Sequence, residues 1–275
     1  LSMKDMFDLS GKVIVITGSA GLLGREHAEA VLEHGGKPVL IDLSEERLLE
    51  QKSSIEKKFN IDTLVYVTDI TDEEQVKSTS EKIFKECGKI DGLVNNAANN
   101  PKVEEGKTDF SRLENFSLEI WEKDISVGLT GSFLCSKYFG PLMAKNKEGG
   151  SIVNISSDLG LIAPDQKLYR KDNLEDHKQP VKPVTYSVVK SGLIGLTRYL
   201  STYWIEEGVR CNAICPGGIK NDQSKEFLEE VSKRVPMKRL ANSDEYKGTL
   251  VWMLSSGSSY LNGAIVPVDG GRTAW

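Results

Sequence analysis

Seven short runs of apolar, largely β-branched residues recur along the chain, and longer stretches with the apolar spacing of helices separate most of them. The runs predict strands at residues 13–17, 38–41, 63–67, 92–94, 151–155, 210–214 and 264–268. All but one of the intervals between them can hold a helix, which two parallel strands need as a crossover. This order predicts an α/β fold with one doubly wound, seven-stranded parallel sheet and helices on both faces.

Glycines and capping residues mark several helix ends. Gly35 and Gly36 predict the end of the first helix, because glycine readily adopts the left-handed conformation that closes a helix. Thr71 and Glu74 have the spacing of a capping box and predict the start of the third helix, and Gly88 predicts its end.

The domain organisation is expected to be simple. The chain has no internal repeat, low-complexity tract or long linker, so residues 3–275 are expected to form a single domain. Residues 1–2 precede a methionine and are interpreted as a cloning scar. Two stretches, residues 99–117 and 161–183, fit no regular element. Loops of this length in compact domains are often lids or binding loops, and the alternative is a solvated surface excursion.

Composition and charge exclude several classes of protein. The chain is 39% hydrophobic and 27% charged, with a mean hydropathy of -0.31, which is enough apolar material for a core and excludes a disordered chain. Its 35 Lys and Arg residues alternate with 40 Asp and Glu residues and leave a net charge of -5. We therefore expect neither nucleic acid nor an acidic membrane surface as a partner, and the motifs described below indicate a small-molecule substrate instead.

The cysteines and the absence of long apolar runs bear on the compartment. No run approaches the roughly 20 residues that span a bilayer, and no leader pattern is present, so a cytoplasmic protein without a membrane partner is expected. The scattered Cys87, Cys135, Cys211 and Cys215 are typical of thiols in a reducing compartment. On one strand, Cys211 and Cys215 would lie about 13 Å apart, beyond the reach of a disulfide. No Cys or His spacing of the zinc type occurs, so no metal is expected.

A glycine-rich turn follows the first predicted strand and leads into a helix. Its sequence is TGSAGLLG, residues 17–24, with glycines at Gly18, Gly21 and Gly24. Such glycines allow a tight turn, the approach of a pyrophosphate to the backbone, and close packing of the helix, whose N-terminus offers free N–H groups. A glycine triplet by itself is also compatible with an ordinary strand-to-helix turn. Its position between a strand and a helix favours a dinucleotide-binding Rossmann fold.

Asp42 ends the second predicted strand, where an acidic residue bears on the choice of dinucleotide. A carboxylate there accepts hydrogen bonds from the adenosine ribose hydroxyls and repels a 2′-phosphate. The next positive charge is Arg47, so NAD is favoured over NADP. Asp42 could also serve as a helix N-cap, a role that is compatible with ribose binding.

Tyr186 and Lys190 are four residues apart and would lie on one face of a helix. An ammonium near a phenol favours the phenolate and lowers its pKa toward the range of a general base. Ser157 follows the fifth predicted strand, at the sheet edge where such folds bind ligands. Tyr169 is nearer to Ser157 in sequence, but its i+4 residue is Asn173, which carries no charge, and Tyr186 is therefore the preferred candidate.

These motifs occur in one order along the whole chain and resemble the short-chain dehydrogenase/reductase family. The motifs are the TGxxGxxG turn, Asp42, Asp69-Ile70, Asn95-Asn96-Ala97-Ala98, Ser157, Tyr186 with Lys190, Pro216-Gly217 and the terminal Val268-Asp269-Gly270-Gly271. Each motif is weak alone, and their common register makes the resemblance specific.

The resemblance implies a role for each matched residue. Tyr186 would exchange a proton with the substrate, Lys190 would lower its pKa and hold the nicotinamide ribose, and Ser157 would bind the substrate oxygen. Cofactor contacts would come from Gly18, Ala20, Gly21, Leu22, Leu23, Asp42, Asp69, Ile70, Asn96, Ala97, Ala98, Tyr186, Lys190, Pro216, Gly217 and Ile219. Among them, Asp69 and Ile70 would contact the adenine, residues 96–98 the adenosine side, and residues 216–219 the nicotinamide. Hydride transfer itself is the chemistry of the cofactor.

Gly128 is the first departure from the family pattern. Relatives usually have an Asn here, which holds a water in a proton relay from the lysine to solvent. A bound water or another polar group could occupy the space and keep the relay running, which is the preferred hypothesis. The enzyme could instead be slow or specialised, or Gly128 could let two elements pack closely, although a glycine within a helix costs up to about 1 kcal/mol.

Two further departures concern the glycine turn and the region before Tyr186. Gly21 lies one position earlier than the middle glycine of many relatives, a spacing typical of a longer-chain branch with nucleotide-sugar epimerases and dehydratases. Ser157 and Tyr186 are 29 residues apart, about twice the usual interval. We expect the extra loop, residues 161–183, to line or cover the substrate pocket. Its residues Asp165, Gln166 and Lys167 would favour a polar, hydroxyl-rich substrate.

The preferred function is an NAD(H)-dependent oxidoreductase that interconverts a secondary alcohol and a ketone on a sugar-like substrate. The residues around Asp165 and the ending VDGGRTAW also resemble family members of bacterial surface-sugar pathways, including flagellin modification. One alternative is a nucleotide-sugar epimerase or dehydratase that retains NAD, and another is an NAD-sensing protein without chemistry. The family resemblance further implies a homodimer or homotetramer built on the helices at residues 121–145 and 184–207.

Overall fold

The computed structural model describes residues 6–99, 111–172 and 174–275. Seven strands form one parallel sheet in the order β3-β2-β1-β4-β5-β6-β7. They are β1 Val13–Thr17, β2 Lys37–Asp42, β3 Leu64–Val67, β4 Gly92–Asn95, β5 Gly150–Ile155, β6 Val209–Pro216 and β7 Ile265–Val268. The predicted fold class is confirmed, and no strand end differs from its predicted position by more than two residues.

Eight α-helices accompany the strands in the part of the chain that the structure describes. They are α1 Leu22–Glu33, α2 Glu45–Phe59, α3 Glu73–Cys87, α4 Leu118–Ile125, α5 Gly131–Met143, α6 Val184–Tyr203, α7 Lys225–Ser232 and α8 Lys247–Leu254. A π-helical turn, Ser126–Thr130, joins α4 to α5. Gly128 therefore lies in a widened turn of a nearly continuous helix, a geometry that often occurs at functional sites.

The core consists of two apolar clusters, one on each face of the sheet. Ile14 and Ile16 of β1 belong to a cluster with residues of α1 and α8. Val13 and Val15 belong to a second cluster with residues of α3, α5 and α6. Successive side chains of a strand point to opposite faces, so an uninterrupted apolar run such as VIVIT predicts a strand covered on both sides.

The third helix begins differently from its prediction. The N-cap of α3 is Asp72, whose side chain accepts a hydrogen bond of 3.1 Å from the backbone N–H of Gln75. The hydroxyl of Thr71 instead donates to Asp69 at 2.7 Å, so the predicted capping box of Thr71 and Glu74 is wrong. Gly88 ends the helix in the left-handed conformation with φ 74°, as predicted.

The two long loops have little regular structure where they are described. Much of the stretch 99–117 lies outside the described residues, and its remainder contains a short 3₁₀ turn at Leu113–Asn115. Loop 161–183 contains 3₁₀ turns at Gln166–Tyr169 and Asp176–Lys178. The side-chain amide of Gln179 stabilises the loop, because it donates to the backbone carbonyls of residues 171 and 174 and accepts from the N–H of residue 171.

The four cysteines are all free thiols in the structure. Among the described residues, no helix is both long enough and apolar enough to cross a membrane. The same residues contain no group of three or more His, Cys, Asp or Glu side chains placed to hold a metal ion.

Candidate active site

A pocket of about 920 Å³ lies at the carboxyl edge of the sheet. Its wall includes Gly18 after β1, Asp42 at the end of β2, Asn96 after β4, Ser157 after β5 and Gly217 after β6. Because parallel strands all end at the same edge, residues far apart in sequence meet there.

The pocket brings together nearly all of the site residues predicted from the sequence. Its lining includes Gly18, Gly21, Leu22, Leu23, Asp42, Asp69, Ile70, Asn96, Ala97, Ala98, Ser157, Tyr186, Lys190, Pro216, Gly217 and Ile219. Ala20 is the exception among them. Its N–H donates to Asp42 at 3.0 Å, and its carbonyl accepts from Arg47 at 2.7 Å, so it supports the turn from behind the pocket wall.

The glycine turn packs so closely that side chains would not fit. Gly18 has φ +60°, and a Cβ on it would lie 2.7 Å from the Cα of Ala97. A Cβ on Gly24 would lie 2.3 Å from the carbonyl oxygen of Gly18. The N-cap of α1 is Gly21, which offers no side chain to the N–H groups of the first helical turn. This backbone cradle fits the pyrophosphate of a dinucleotide.

The Asp42 carboxylate is held by two backbone groups at the pocket wall. Its oxygens accept hydrogen bonds from the N–H of Ala20 at 3.0 Å and of Ser44 at 3.2 Å. The N-cap of α2 is Ser44, whose hydroxyl accepts from the N–H of Arg47, so the alternative role of Asp42 as the N-cap is wrong. Arg47 also lines the pocket.

Asn96 joins the end of β4 to the glycine turn. Its side-chain amide donates to the carbonyls of Thr17 and Gly18, each at 3.0 Å. The backbone N–H of Asn96 also donates to the Thr17 hydroxyl at 3.1 Å. These bonds fix the two strand ends that border the dinucleotide cradle.

Ser157, Tyr186 and Lys190 lie together at the other end of the pocket. The Ser157 hydroxyl donates to the Asp158 carboxylate at 2.8 Å. Tyr186 and Lys190 lie in the first two turns of α6, which begins at Val184. Nζ of Lys190 is buried, donates to the carbonyl of Ile155 at 2.9 Å, and lies 5.7 Å from the centroid of the Tyr186 ring.

The pKa of Tyr186 does not follow the direction expected from the sequence. Burial, which disfavours the phenolate, raises the pKa above its ordinary value, and a hydrogen bond with Ser157 opposes this shift. Burial and the nearby charge of Lys182 lower the pKa of Lys190 to about 8. The protein surroundings thus disfavour the charged form of both groups.

The sequence pattern did not point to Lys182, Asp158 and Arg272, which also line the pocket. Nζ of Lys182 lies 3.8 Å from the centroid of the Tyr186 ring, and burial lowers the pKa of Lys182 to about 8. Asp158 is buried, and its carboxylate lies 3.4 Å from the guanidinium of Arg272. Lys182 is four residues from Tyr186, but α6 begins between them at Val184, so helical spacing could not identify it.

Loop 161–183 contributes to the pocket through different residues from those expected. Leu168, Tyr169 and Lys182 line it, whereas Asp165, Gln166 and Lys167 do not. Asp165 pairs instead at 2.6 Å with Arg234, which lies two residues beyond the end of α7. The side-chain carbonyl of Gln166 accepts from the backbone N–H of Lys182 at 2.8 Å, which holds the loop in place next to Tyr186.

Tyr169, the other tyrosine of the pocket, is packed against Phe227 with ring centroids 6.2 Å apart. Burial raises its pKa to about 12. The residue four positions later, 173, lies outside the described residues.

A small cavity of about 10 Å³ lies beside Gly128, Tyr186 and Lys190. Asp124, also in its wall, is buried and accepts hydrogen bonds from Asn99 at 2.7 Å and from the Thr185 hydroxyl. A cavity of this size has room for about one water molecule.

Gly128 also packs closely against α6. A Cβ on Gly128 would lie 2.5 Å from Cγ1 of Val189, so any larger residue would require Val189 to move. Close packing therefore accounts for the glycine, while the neighbouring cavity retains polar groups.

The short-chain dehydrogenase profile matches residues 12–169, and a profile described as enoyl-(acyl carrier protein) reductase matches residues 176–273. The chain belongs to the short-chain dehydrogenase/reductase family. As a member of this family, it is an oxidoreductase that acts on CH–OH groups. This membership argues against the alternative of an NAD-sensing protein without catalytic activity.

Curated relatives of the family are similar over almost their whole length. An uncharacterized oxidoreductase of Thermotoga maritima is 31% identical, covering 97% of this chain and 99% of the relative. The post-translational flagellin modification protein A of Campylobacter coli is 29% identical, covering 96% and 98%. Among solved structures, NAD+-bound xylitol dehydrogenase is 25% identical with a TM-score of 0.82, covering 96% and 99%.

Proposed function

We propose that the protein is an NAD(H)-dependent dehydrogenase that interconverts a secondary alcohol and a ketone on a polar, sugar-like substrate. The observation that carries this proposal is the shared pocket, which has the glycine cradle and Asp42 at one end and Ser157, Tyr186 and Lys190 at the other. The similarity to a xylitol dehydrogenase supports a polyhydroxyl substrate.

Tyr186 acts as the general base in oxidation and the general acid in reduction. When the alcohol is oxidised, its hydroxyl proton passes to the Tyr186 oxygen while the carbinol hydrogen leaves as hydride. NAD supplies the acceptor for this hydride, and its reduced form supplies the donor for the reverse reaction. Ser157 hydrogen-bonds the substrate oxygen and so orients the carbinol toward Tyr186.

Lys190 supports Tyr186 in two ways. Its ammonium, 5.7 Å from the centroid of the Tyr186 ring, favours the phenolate over the neutral phenol. Its position in the wall of the shared pocket also suits hydrogen bonds with the nicotinamide ribose. The carbonyl of Ile155 keeps Nζ in this position.

The residues of the other end bind the cofactor. The first turn of α1 and the glycine turn would hold the pyrophosphate, Asp69 and Ile70 would contact the adenine, and residues 96–98 and 216–219 would contact the adenosine and nicotinamide sides, since all of them line the pocket. Asp42 would accept hydrogen bonds from the ribose hydroxyls. A 2′-phosphate would meet this carboxylate, so NAD is preferred to NADP.

Asp124 replaces the missing asparagine of the proton relay. It shares the small cavity with Lys190 and Tyr186, and its two oxygens are already oriented by Asn99 and Thr185. A water in that cavity, next to the Asp124 carboxylate, would connect the lysine side of the site to Asp124 without a side chain at Gly128.

The test is a panel of sugars, polyols and hydroxysteroids with NAD or NADP, followed by absorbance of the reduced nicotinamide. We expect reduction of NAD with a polyhydroxyl substrate and none in Tyr186→Phe. Activity that persists in Tyr186→Phe would overturn the mechanism.

A second candidate is a nucleotide-sugar epimerase or dehydratase that retains NAD through its cycle. The Gly18, Gly21 and Gly24 spacing favours it. NAD that stays bound through purification, together with no net reduction of added NAD, would distinguish this function from a dehydrogenase.

The protein also forms a homodimer or homotetramer. Several apolar or aromatic side chains are exposed on the helices α4 to α6, among them Leu118, Phe133 and Tyr199. Trp275 is exposed at the chain end, with Lys238 above its ring. Light scattering after gel filtration tests the state, and a monomeric mass would contradict it.

A further inference from the structure

Lys182 is an ammonium inside the catalytic end of the pocket. It lies at the end of loop 161–183, and its Nζ is 3.8 Å from the centroid of the Tyr186 ring. The backbone N–H of Lys182 donates to Gln166, and Pro183 follows as the N-cap of α6. The backbone on both sides of Lys182 is therefore held, and the side chain is directed along Tyr186.

The Lys182 ammonium has no hydrogen-bonded or ion-paired partner among residues 6–99, 111–172 and 174–275. Other lysines that are partly covered, such as Lys247, pair with several carboxylates. Asp158 raises the pKa of Lys182 through its charge but lies beyond ion-pair distance and is paired with Arg272. The face of the Tyr186 ring offsets part of the hydration that this mostly buried ammonium loses, but it supplies no hydrogen-bonding oxygen and no negative charge.

The charges around Lys182 favour an anion at this place. Lys182, Lys190 and Arg272 line the catalytic end, and Asp158 is the carboxylate among them, which leaves an excess of positive charge. The same pocket is also lined by apolar and aromatic side chains, including Leu168, Tyr169, Phe227 and Val231, which supply no competing carboxylate.

We propose that Lys182 binds an anionic group of the substrate, a carboxylate or a phosphate, next to the carbinol that Tyr186 deprotonates. The proximity of Nζ to the Tyr186 ring places the bound anion within a few bonds of the reacting carbon. The substrate class is thus a hydroxy acid or a phosphorylated polyol. This inference deepens the proposed function and rests on Tyr186 being the proton-transfer group.

The experiment compares D-gluconate with D-glucitol, which have the same carbon chain but differ in one carboxylate, and adds D-glucitol 6-phosphate as the phosphate arm. Binding is measured by calorimetry with NADH present, so that no alcohol is oxidised during the titration. The variants are Lys182→Met, which keeps the length and removes the charge, and Lys182→Arg, which keeps the charge. Lys167→Met is the matched control, because Lys167 belongs to the same loop but lies outside the pocket lining.

We expect the wild type to bind at least one of the two anions more tightly than glucitol. Lys182→Met should weaken that binding by about 10- to 100-fold and leave glucitol binding nearly unchanged, as expected for a lost charged hydrogen bond. Lys182→Arg should retain part of the preference, and Lys167→Met all of it. The arm that responds shows whether the anion is a carboxylate or a phosphate.

Three results would overturn the proposal. The first is a wild type that binds neither anion more tightly than glucitol, and the second is a Lys182→Met variant that keeps the wild-type preference. The third would come from steady-state kinetics, as an equal fall in kcat for charged and neutral substrates in Lys182→Met with a shifted pH profile, because Lys182 would then act on Tyr186. Anion binding through Lys182 without any oxidation would instead contradict the proposed function, and of this inference only the anion-binding role of Lys182 would stand.

Discussion

The two ends of the pocket are built by different means. At the cofactor end, most contacts are made with backbone atoms. Gly18 packs on Ala97, the Asn96 side chain donates to the carbonyls of the glycine turn, and the Asp42 carboxylate accepts from two backbone N–H groups. At the substrate end, the surroundings of Tyr186 come from loop 161–183 and from the chain end, through Lys182 and Arg272. Contacts that are distant in sequence build both ends, but those of the cofactor end join short motifs at strand ends, whereas those of the substrate end depend on where an irregular loop and the chain end place their side chains.

The largest effect should follow from Tyr186→Phe, which removes the acid/base group of the substrate end. We expect kcat to fall by about 10³-fold, within the range for loss of general acid–base catalysis, while the affinity for NAD stays unchanged. Steady-state kinetics and calorimetry measure the two quantities. A fall in NAD affinity of similar size would show that the two ends of the pocket are not separable.

Tyr169→Phe is the matched control for this substitution. Tyr169 lines the same pocket, and burial raises its pKa to about 12, so very little of it is phenolate at neutral pH and its i+4 position offers no lysine. We expect kcat to change less than tenfold. A loss equal to that of Tyr186→Phe would remove the distinction between the two tyrosines.

The sequence predicted which residues meet at the cofactor end of the pocket, except Ala20, for a physical reason. The tight approach at Gly18 and Gly24 requires glycine, and the strand ends meet wherever a parallel sheet forms, so residue type and order predict the arrangement. The start of α3 was predicted one residue too early, because both Thr71 and Asp72 are good capping residues and only the bond from Thr71 to Asp69 decides between them.

The substrate end could be predicted only in part. The helical spacing of Tyr186 and Lys190 can be read from the local sequence. Lys182 precedes the helix, and a hydrogen bond from its backbone N–H to the Gln166 side chain places it. Asp165 was expected in the pocket and is instead paired with Arg234, 69 residues away in sequence. The direction of the Tyr186 pKa depends on burial, which no spacing pattern reports.

Asp42→Asn tests the cofactor end with the next largest effect. The carboxamide keeps the shape but removes the charge, so the preference for NAD over NADP should fall by about 10- to 100-fold in kcat/KM. Arg47 in the same wall offers a positive charge to a 2′-phosphate once the carboxylate is gone. Glu45→Gln removes a nearby charge outside the pocket lining and should leave the preference as it was. An unchanged preference in Asp42→Asn would assign cofactor choice elsewhere.

Asp124→Asn tests the border between the two ends. We expect kcat to fall about tenfold and its pH profile to move, because the buried carboxylate beside Lys190 would no longer take part in proton transfer. The affinities for NAD and substrate should stay near those of the wild type. A normal pH profile would mean that Asp124 only holds Asn99 and Thr185 in place.

Gly128→Asn and Gly128→Ala separate chemistry from packing at the same border. Both add a Cβ 2.5 Å from Val189, so both should lower the stability by a similar amount. If the relay already runs through Asp124, the asparagine should give no higher kcat than the alanine. A clear gain in Gly128→Asn alone would favour the interpretation of a slow enzyme that lacks its relay.

The last prediction concerns the effect of the buried Lys182 charge on the free energy of unfolding. In the folded protein burial lowers the pKa of Lys182 from 10.5 to about 8, so below pH 8 the charged ammonium destabilises the fold. Lys182→Met should therefore raise the free energy of unfolding at pH 7, where the lysine is largely charged in both the folded and the unfolded chain. Urea denaturation measures this difference, and the exposed Lys167→Met should show none.

The pH dependence of stability tests in a second way whether the Lys182 charge destabilises the folded protein. Between pH 8 and 10.5 the unfolded chain binds more protons at Lys182 than the folded chain, so this lysine makes wild-type stability rise with pH. The free energy of unfolding of Lys182→Met should accordingly exceed that of the wild type by its full amount below pH 8, and this difference should become smaller by pH 9.5. If this stability difference did not change with pH, the methionine would stabilise the protein by packing. The folded protein would then hold the Lys182 ammonium without the electrostatic cost that an unoccupied anion site should have.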